Sequence, residues 1–169
     1  MRTLPGFAME ELMQLMSNAK ANRVKCEVDA KAYSLWLSQL IPANLVLVVG
    51  AAVLSLLAGA SILVDQQIIS NSQAGIMAVL SSIFTVIHNR LNCDQHQAEC
   101  RRLQALYQGL SVDYGNLETE TDARELKKKL DALNNELAQI IKGSSAHPSA
   151  GSMDKARRIV QARNIASGF

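Results

Sequence analysis

This sequence of 169 residues has few aromatic side chains and few cysteines, and a long part of it carries no charge. The three cysteines, Cys26, Cys93 and Cys100, are an odd number, which argues against a disulfide framework and fits a reducing compartment. The formal net charge is only +2, so the chain does not have the basic balance of a nucleic-acid-binding protein. The order of the residues is therefore more informative than their composition.

Motifs that carry chemistry are also missing. The sequence has no glycine-rich phosphate-binding loop and no Ser/His/Asp or Cys/His motif in the context that a catalytic site needs. Its apolar stretches contain no paired acidic residues. Cys93, His96 and Cys100 share one face of a predicted helix, but a closed zinc site needs four ligands and only three are local. We therefore expect no enzyme activity, no catalytic residue, no cofactor and no metal site.

The first apolar run indicates a transmembrane helix over residues 40–64. No Asp, Glu, Lys or Arg occurs between residues 32 and 64, and about 20 apolar residues are enough to cross a hydrocarbon core of about 30 Å. Pro42 lies near the start of this run, where the loss of one N–H is tolerated. A soluble helix would show a polar face, and this run shows almost none.

A second span is predicted over residues 68–89, with an apolar core at 74–87. That core alone is short for a span, so the polar residues before it are placed at the headgroups. A short polar turn over 65–73 joins the two spans and contains no Lys or Arg, whereas both flanks are basic. Because basic segments stay in the cytoplasm, we expect both termini there and the turn outside. His88, at the inner edge, either responds to pH or simply reaches water.

Small residues in the spans predict close helix packing, within the hairpin or between subunits. The residues concerned are Ala51, Ser55 and Gly59 in the first span and Ala74 in the second, where the pattern continues through Ala78 and Ser82. At about 100° per residue, one face of the second span carries small or polar side chains. These either bond across helices or line an aqueous path in an oligomer. The candidate face consists of Ala78, Ser81, Ser82, Thr85 and Asn89.

The flanking segments are predicted to be helical and cytoplasmic. Residues 1–36 form an amphipathic helix, and residues 90–113 continue the second span as a stalk. Asp122 followed by Glu125 resembles a capping box for a coiled-coil-like helix over 119–142. Residues 143–169 are a linker and a basic tail. The seam of that coiled-coil-like helix, which pairs with its own stalk or with other subunits, is Leu126, Leu130, Leu133, Leu137 and Ile140.

The predicted fold is thus an all-α membrane protein, a two-helix hairpin with an amphipathic N-terminal helix and cytoplasmic stalk and coiled-coil helices. This layout, with a stalk reading HNRLNCDQHQAECRRLQALY that carries Ala98, Leu103 and Tyr107, resembles the SLATT family over residues 19–117. SLATT proteins are bacterial two-transmembrane domains associated with nucleotide-signalled (SMODS and SLOG) defence systems.

The resemblance implies an oligomeric, pore-forming effector in the bacterial inner membrane, acting in defence or stress. Its partners would be the lipid bilayer, its own copies and a cytoplasmic signalling protein, and no nucleic acid. These 169 residues contain no motif of a nucleotide synthase or sensor domain, so we expect the trigger to come from another molecule. The alternative is a non-catalytic membrane subunit that anchors a cytoplasmic partner.

Overall fold

The computed structural model describes residues 5–63, 70–90 and 93–166, and within these ranges every regular element is helical. The prediction of an all-α protein is confirmed. The elements are α1 (Pro5–Leu63), α2 (Asn71–Arg90), α3 (Cys93–Asn116), a 3-10 turn (Leu117–Thr119), α4 (Ala123–Gly143) and α5 (Ala150–Ala166).

The chain folds into two compact units. One, called the core unit here, comprises residues 1–36 and 99–169; the other, called the hairpin unit, comprises residues 37–98. The core unit therefore contains the first half of α1, most of α3, and α4 and α5. The hairpin unit contains the second half of α1, all of α2 and the first turns of α3.

In the core unit, buried side chains from α1, α3, α4 and α5 meet in one apolar interior. The rings of Tyr33 and Tyr107 stack with their centroids 5.9 Å apart. The Tyr33 hydroxyl donates to the carbonyl of Ala146 at 2.8 Å, which fixes the chain just before α5. The residues in this interior with less than 2% exposure include Cys26, Cys100, Leu103, Tyr114, Leu126 and Ala156.

A polar triad links three helices of the core unit. The Oδ1 atom of Asn134 accepts two hydrogen bonds, from Asn22 Nδ2 at 2.9 Å and from the Tyr114 hydroxyl at 2.8 Å. Both bonds are part-buried, and they satisfy polar atoms that have limited access to water. Because the three residues lie on α1, α3 and α4, the bonds also connect these helices.

Helix α4 begins and ends where its sequence signals lie. The Asp122 carboxylate accepts from the backbone N–H of Arg124 at 2.9 Å, so Asp122 caps the helix as predicted. Gly143 is its last residue. The tail predicted as residues 143–169 contains a further helix, α5, whose Ser152, Ala156 and Val160 are buried.

In the hairpin unit, α1 and α2 run antiparallel, because Asn44 contacts His88 and Ala51 contacts Ser81. The predicted first span is part of a continuous helix of 59 residues, with Pro42 inside it. Helix α2 ends at Arg90 and α3 begins at Cys93. Most of the predicted turn over 65–73, and the start of the predicted second span, lies outside the described residues, as does the α2–α3 junction at 91–92.

Candidate functional site

The hairpin unit exposes a belt of large apolar side chains on both helices. Leu56 in α1 is 72% exposed and Ile76 in α2 is 60% exposed. A soluble monomer rarely exposes so large a continuous apolar surface. By length and composition, two helical stretches are able to span a membrane, within Met9–Ser61 and within Ser72–Thr119. Together with Leu56 and Ile76, the belt comprises Ile41, Leu45, Val46, Val48, Val49, Val53, Leu57, Val79, Leu80, Ile83, Val86 and Ile87.

The two helices of the hairpin contact each other through residues spaced seven apart. The contacting residues of α1 include Asn44 and Ala51, and those of α2 include Ser81 and His88. Ala58 and Ala74, which continue the two series, are each 6% exposed. A seven-residue period keeps one seam of each helix facing its neighbour in left-handed packing.

Ser81 forms the central polar contact of this seam. Its hydroxyl donates to the carbonyl of Ala51 at 2.8 Å, and the bond is buried. Next to it, a Cβ added at Gly50 would lie 3.2 Å from the Phe84 ring, so glycine leaves room for that ring. Small residues thus let the two helix backbones approach each other closely.

The predicted packing residues fall into two groups. Ala51 and Ala74 are buried in the seam, whereas Ser55 and Gly59 are exposed, and a Cβ added at Gly59 would meet nothing within 4 Å. The four-residue pattern seen in the sequence therefore leaves the seam after Ala51. The contact seam instead follows the seven-residue spacing, a pattern that the sequence also contains.

The predicted polar face of α2 is also divided. Ser81 faces α1, while Ala78, Ser82, Thr85 and Asn89 are exposed on the outside of the hairpin. The Ser82 hydroxyl donates to the Ala78 carbonyl at 2.9 Å, and Thr85 donates to the Ser81 carbonyl at 3.0 Å. These two hydroxyls are therefore satisfied within their own helix and do not require water.

A polar cluster at the end of the hairpin opposite the turn was not predicted. Asn44 Nδ2 donates to Asp94 Oδ1 at 2.8 Å, and Asn44 Oδ1 lies 2.8 Å from His88 Nδ1. His88 Nε2 lies 3.7 Å from Asp94 Oδ2. The cluster joins α1, α2 and the first turn of α3. A single asparagine in an apolar run gives no sign of partners 44 and 50 positions away.

An apolar cavity of about 350 Å³ adjoins this cluster. Gln97 donates to the Leu40 carbonyl at 3.2 Å and is a second link between α3 and α1 in the hairpin unit. The cavity is lined by Leu40, Ala43, Asn44, Leu47, Cys93, His96 and Gln97.

The core unit carries a second, more polar groove of about 370 Å³ between α1, α3 and α5. Glu27 and Arg163, both in its lining, form an ion pair across it. Glu27 also accepts from Arg23 at 3.4 Å, so its carboxylate is shared between two guanidinium groups. The ion pair between Glu27 and Arg163 therefore helps to hold α5 against α1.

The predicted coiled-coil seam lies inside the chain's own core unit. Leu126, Leu130, Leu137 and Ile140 are buried and Leu133 is half-buried. Because this burial arises within one chain, the seam needs no second subunit to cover it.

The cysteines occupy structural positions. Cys26 and Cys100 are fully buried, and Cys93 is half-buried at the apolar cavity. Burial raises the pKa of the Cys26 thiol to about 12, so it stays protonated and unreactive at neutral pH. Within the described parts of the chain, no three His, Cys, Asp or Glu side chains are placed to hold a metal ion.

Asp29 in the core unit makes stability depend on pH. Burial raises the pKa of its carboxyl, and Lys25 and Arg157 only partly oppose that shift. The folded state therefore binds a proton more tightly than the unfolded state, so stability falls as pH rises through the folded pKa. We expect Asp29→Asn to raise the thermal unfolding midpoint at pH 7, with the gain shrinking toward pH 3.5.

Asp131→Asn, at an exposed position of α4, is the matched control and should leave the midpoint unchanged at both pH values. Equal midpoints for Asp29→Asn and the unmodified protein at pH 7 would show that the Asp29 carboxylate is not destabilising.

Comparison of the chain with protein-family models, with curated proteins and with solved structures finds no match.

Proposed function

We propose that the chain is an oligomeric membrane effector that forms a pore in a bacterial nucleotide-signalled defence or stress system. The observation that carries the membrane part of this proposal is the apolar belt of the hairpin unit. Hydrocarbon is the environment in which such a surface is favourable without a protein partner. The SLATT resemblance of residues 19–117 supports the effector role.

The distribution of charge supports an orientation with both termini in the cytoplasm of a bacterial inner membrane. The predicted turn contains Asp65 but no Lys or Arg, whereas Arg90, Arg101 and Arg102 follow the second span. Basic residues close to the ends of spans are retained on the cytoplasmic side. In this orientation the core unit is cytoplasmic and available to a signalling partner.

The geometry of the hairpin supports the proposed assembly with copies of the chain. Two helices packed on one seam cannot enclose a path, so a pore needs several hairpins. The outward face of α2 offers small side chains at Ala78 and Ser82, which allow another helix to approach closely. Thr85 and Asn89 extend this face toward the end of α2 that carries His88.

A second function, a membrane anchor for a cytoplasmic partner, is favoured by one observation. The Ser82 and Thr85 hydroxyls are bonded to carbonyls of their own helix, so they are compatible with lipid as well as with water. An anchor would use the same hairpin without forming a conducting path.

Dye release from liposomes distinguishes the two functions. If α2 faces other copies, Ser82→Leu should lower the release rate about tenfold, because a bulky side chain prevents close helix approach. Val79→Leu is the matched control, since it adds one methylene at another outward position of α2 and should leave release unchanged.

Both variants should be compared at equal incorporated protein, with the oligomeric mass measured in nanodiscs. Liposomes that remain intact over a range of densities of the unmodified protein, with and without cytoplasmic extract, would reject the pore and favour the anchor. A monomeric mass would reject both the pore and the assembly through α2.

A further inference from the structure

The hydrogen-bond directions in the Asn44–His88–Asp94 cluster follow from the chemistry of its groups. An ionised carboxylate only accepts, so the Asn44 amide nitrogen must face Asp94, where the distance is 2.8 Å. The Asn44 oxygen then faces His88 Nδ1, also at 2.8 Å. Since that oxygen can only accept, Nδ1 must carry the proton.

This assignment determines what His88 Nε2 does. In the neutral ring only one nitrogen carries a proton, so Nε2 presents a lone pair. Its neighbour at 3.7 Å is Asp94 Oδ2, which is also an acceptor. Neutral His88 therefore faces Asp94 without a hydrogen bond, whereas protonated His88 places an N–H and a positive charge in front of the carboxylate.

We propose that Asn44, His88 and Asp94 form a proton-dependent clasp between the hairpin and the first turn of α3. Proton uptake at Nε2 completes a ring of three interactions: His88 to Asn44, Asn44 to Asp94, and His88 to Asp94. The clasp is tight at acidic pH and loosens as pH rises. The clasp does not depend on whether the hairpin conducts. Through the clasp, the protonation state of His88 changes how firmly the first turn of α3 is held.

Asp94 is the charged side chain that faces His88 among the described residues of α1, α2 and α3 around the cluster. From α1, only neutral side chains are available near the cluster, because residues 32–63 contain no charged residue. On α2, Arg90 is exposed two positions away from His88, on another side of the helix. On α3, Cys93 and His96 line the adjoining cavity.

Solvent exposure sets the size of the effect. The Asp94 side chain is 78% exposed and that of His88 is 22% exposed, so the pair is partly screened. The bond from Gln97 to the Leu40 carbonyl remains in both protonation states and keeps α3 beside α1. Loosening of the clasp should therefore increase opening of the first turn of α3 rather than release the helix.

Nitrogen-15 NMR of the histidine side chains tests the hydrogen-bond pattern. At pH 8 the full chain in nanodiscs should show His88 as the Nδ1–H tautomer, with the exposed His147 as an internal reference. Asn44→Ala should remove this preference and return His88 to the Nε2–H tautomer. An Nε2–H tautomer in the unmodified protein would overturn the proposal.

Hydrogen exchange of the amides of residues 97–100 tests the response to protons, because these N–H groups bond to the carbonyls of the first turn of α3. After correction for intrinsic rates, protection should be about two- to fivefold higher at pH 5.5 than at pH 8, the range expected for one exposed ion pair. His88→Asn retains a donor near the position of Nδ1 but removes Nε2. In this variant, the protection of the same α3 amides should be equal at both pH values.

Equal protection at both pH values in the unmodified protein would overturn the clasp. The pore proposal would be untouched by that result, because liposome release is measured separately. Conversely, a clasp that responds in a protein that does not release dye would leave this inference standing.

Discussion

Two lysines in the apolar belt are expected to remove the hairpin from the membrane. Val49 and Val53 lie near the middle of the predicted first span and are 47% and 49% exposed. A lysine at the centre of a spanning helix costs about 3 kcal/mol, or about 100-fold in an insertion equilibrium. The double variant Val49→Lys, Val53→Lys carries this cost twice, so the integral fraction should fall by more than tenfold even if both side chains partly reach the headgroups.

The control is a matched pair in the core unit. Val112 and Ile141 are 59% and 47% exposed, so Val112→Lys, Ile141→Lys changes two apolar side chains of comparable exposure. If every exposed surface of the protein faced water, both double variants would be equally harmless. If only the belt faces hydrocarbon, only the first variant should be lost from the membrane.

Alkaline carbonate extraction of expressing cells measures the result. The unmodified protein and the core-unit control should remain in the pellet, and the belt variant should appear in the supernatant or be degraded. Full retention of the belt variant in the pellet would show that Val49 and Val53 do not lie in hydrocarbon.

The parts of the fold that follow from local composition were accessible from sequence. The described part of α1 extends to Leu63 and so contains almost all of the uncharged run over residues 32–64, in which no charged side chain interrupts the helix. The cap at Asp122 was likewise predictable, since a cap depends on residues only a few positions apart.

The candidate site was harder to predict from the sequence, because its contacts join residues that are far apart along the chain. Ser81 was placed on one face with Ser82 and Thr85, yet it bonds to Ala51 while the other two point outward. Helical periodicity assigns residues to faces but does not say which face meets the neighbouring helix. Helix α5 was missed for another reason: its buried Ala156 and Val160 are few, and basic residues surround them.

Truncation of Leu126 is expected to destabilise the core unit strongly. Its side chain is 0% exposed, so Leu126→Ala removes buried methyl groups and leaves a cavity. Such substitutions cost about 2–5 kcal/mol, and we expect about 3 kcal/mol here. Leu133→Ala is the matched control in the same seam, and because Leu133 is only half-buried it should cost about 1 kcal/mol.

Denaturant unfolding in detergent at several protein concentrations measures both costs and also locates the seam. Leu126 is covered by its own chain, so the loss of stability should be the same at every concentration. A seam shared between subunits would instead make the loss larger on dilution, because unfolding would then include dissociation. Ser82→Leu should have the opposite effect. It should change the oligomeric mass and leave the stability of the core unit unchanged. Together these variants distinguish the helices that hold the chain together from the helix face proposed to join its copies.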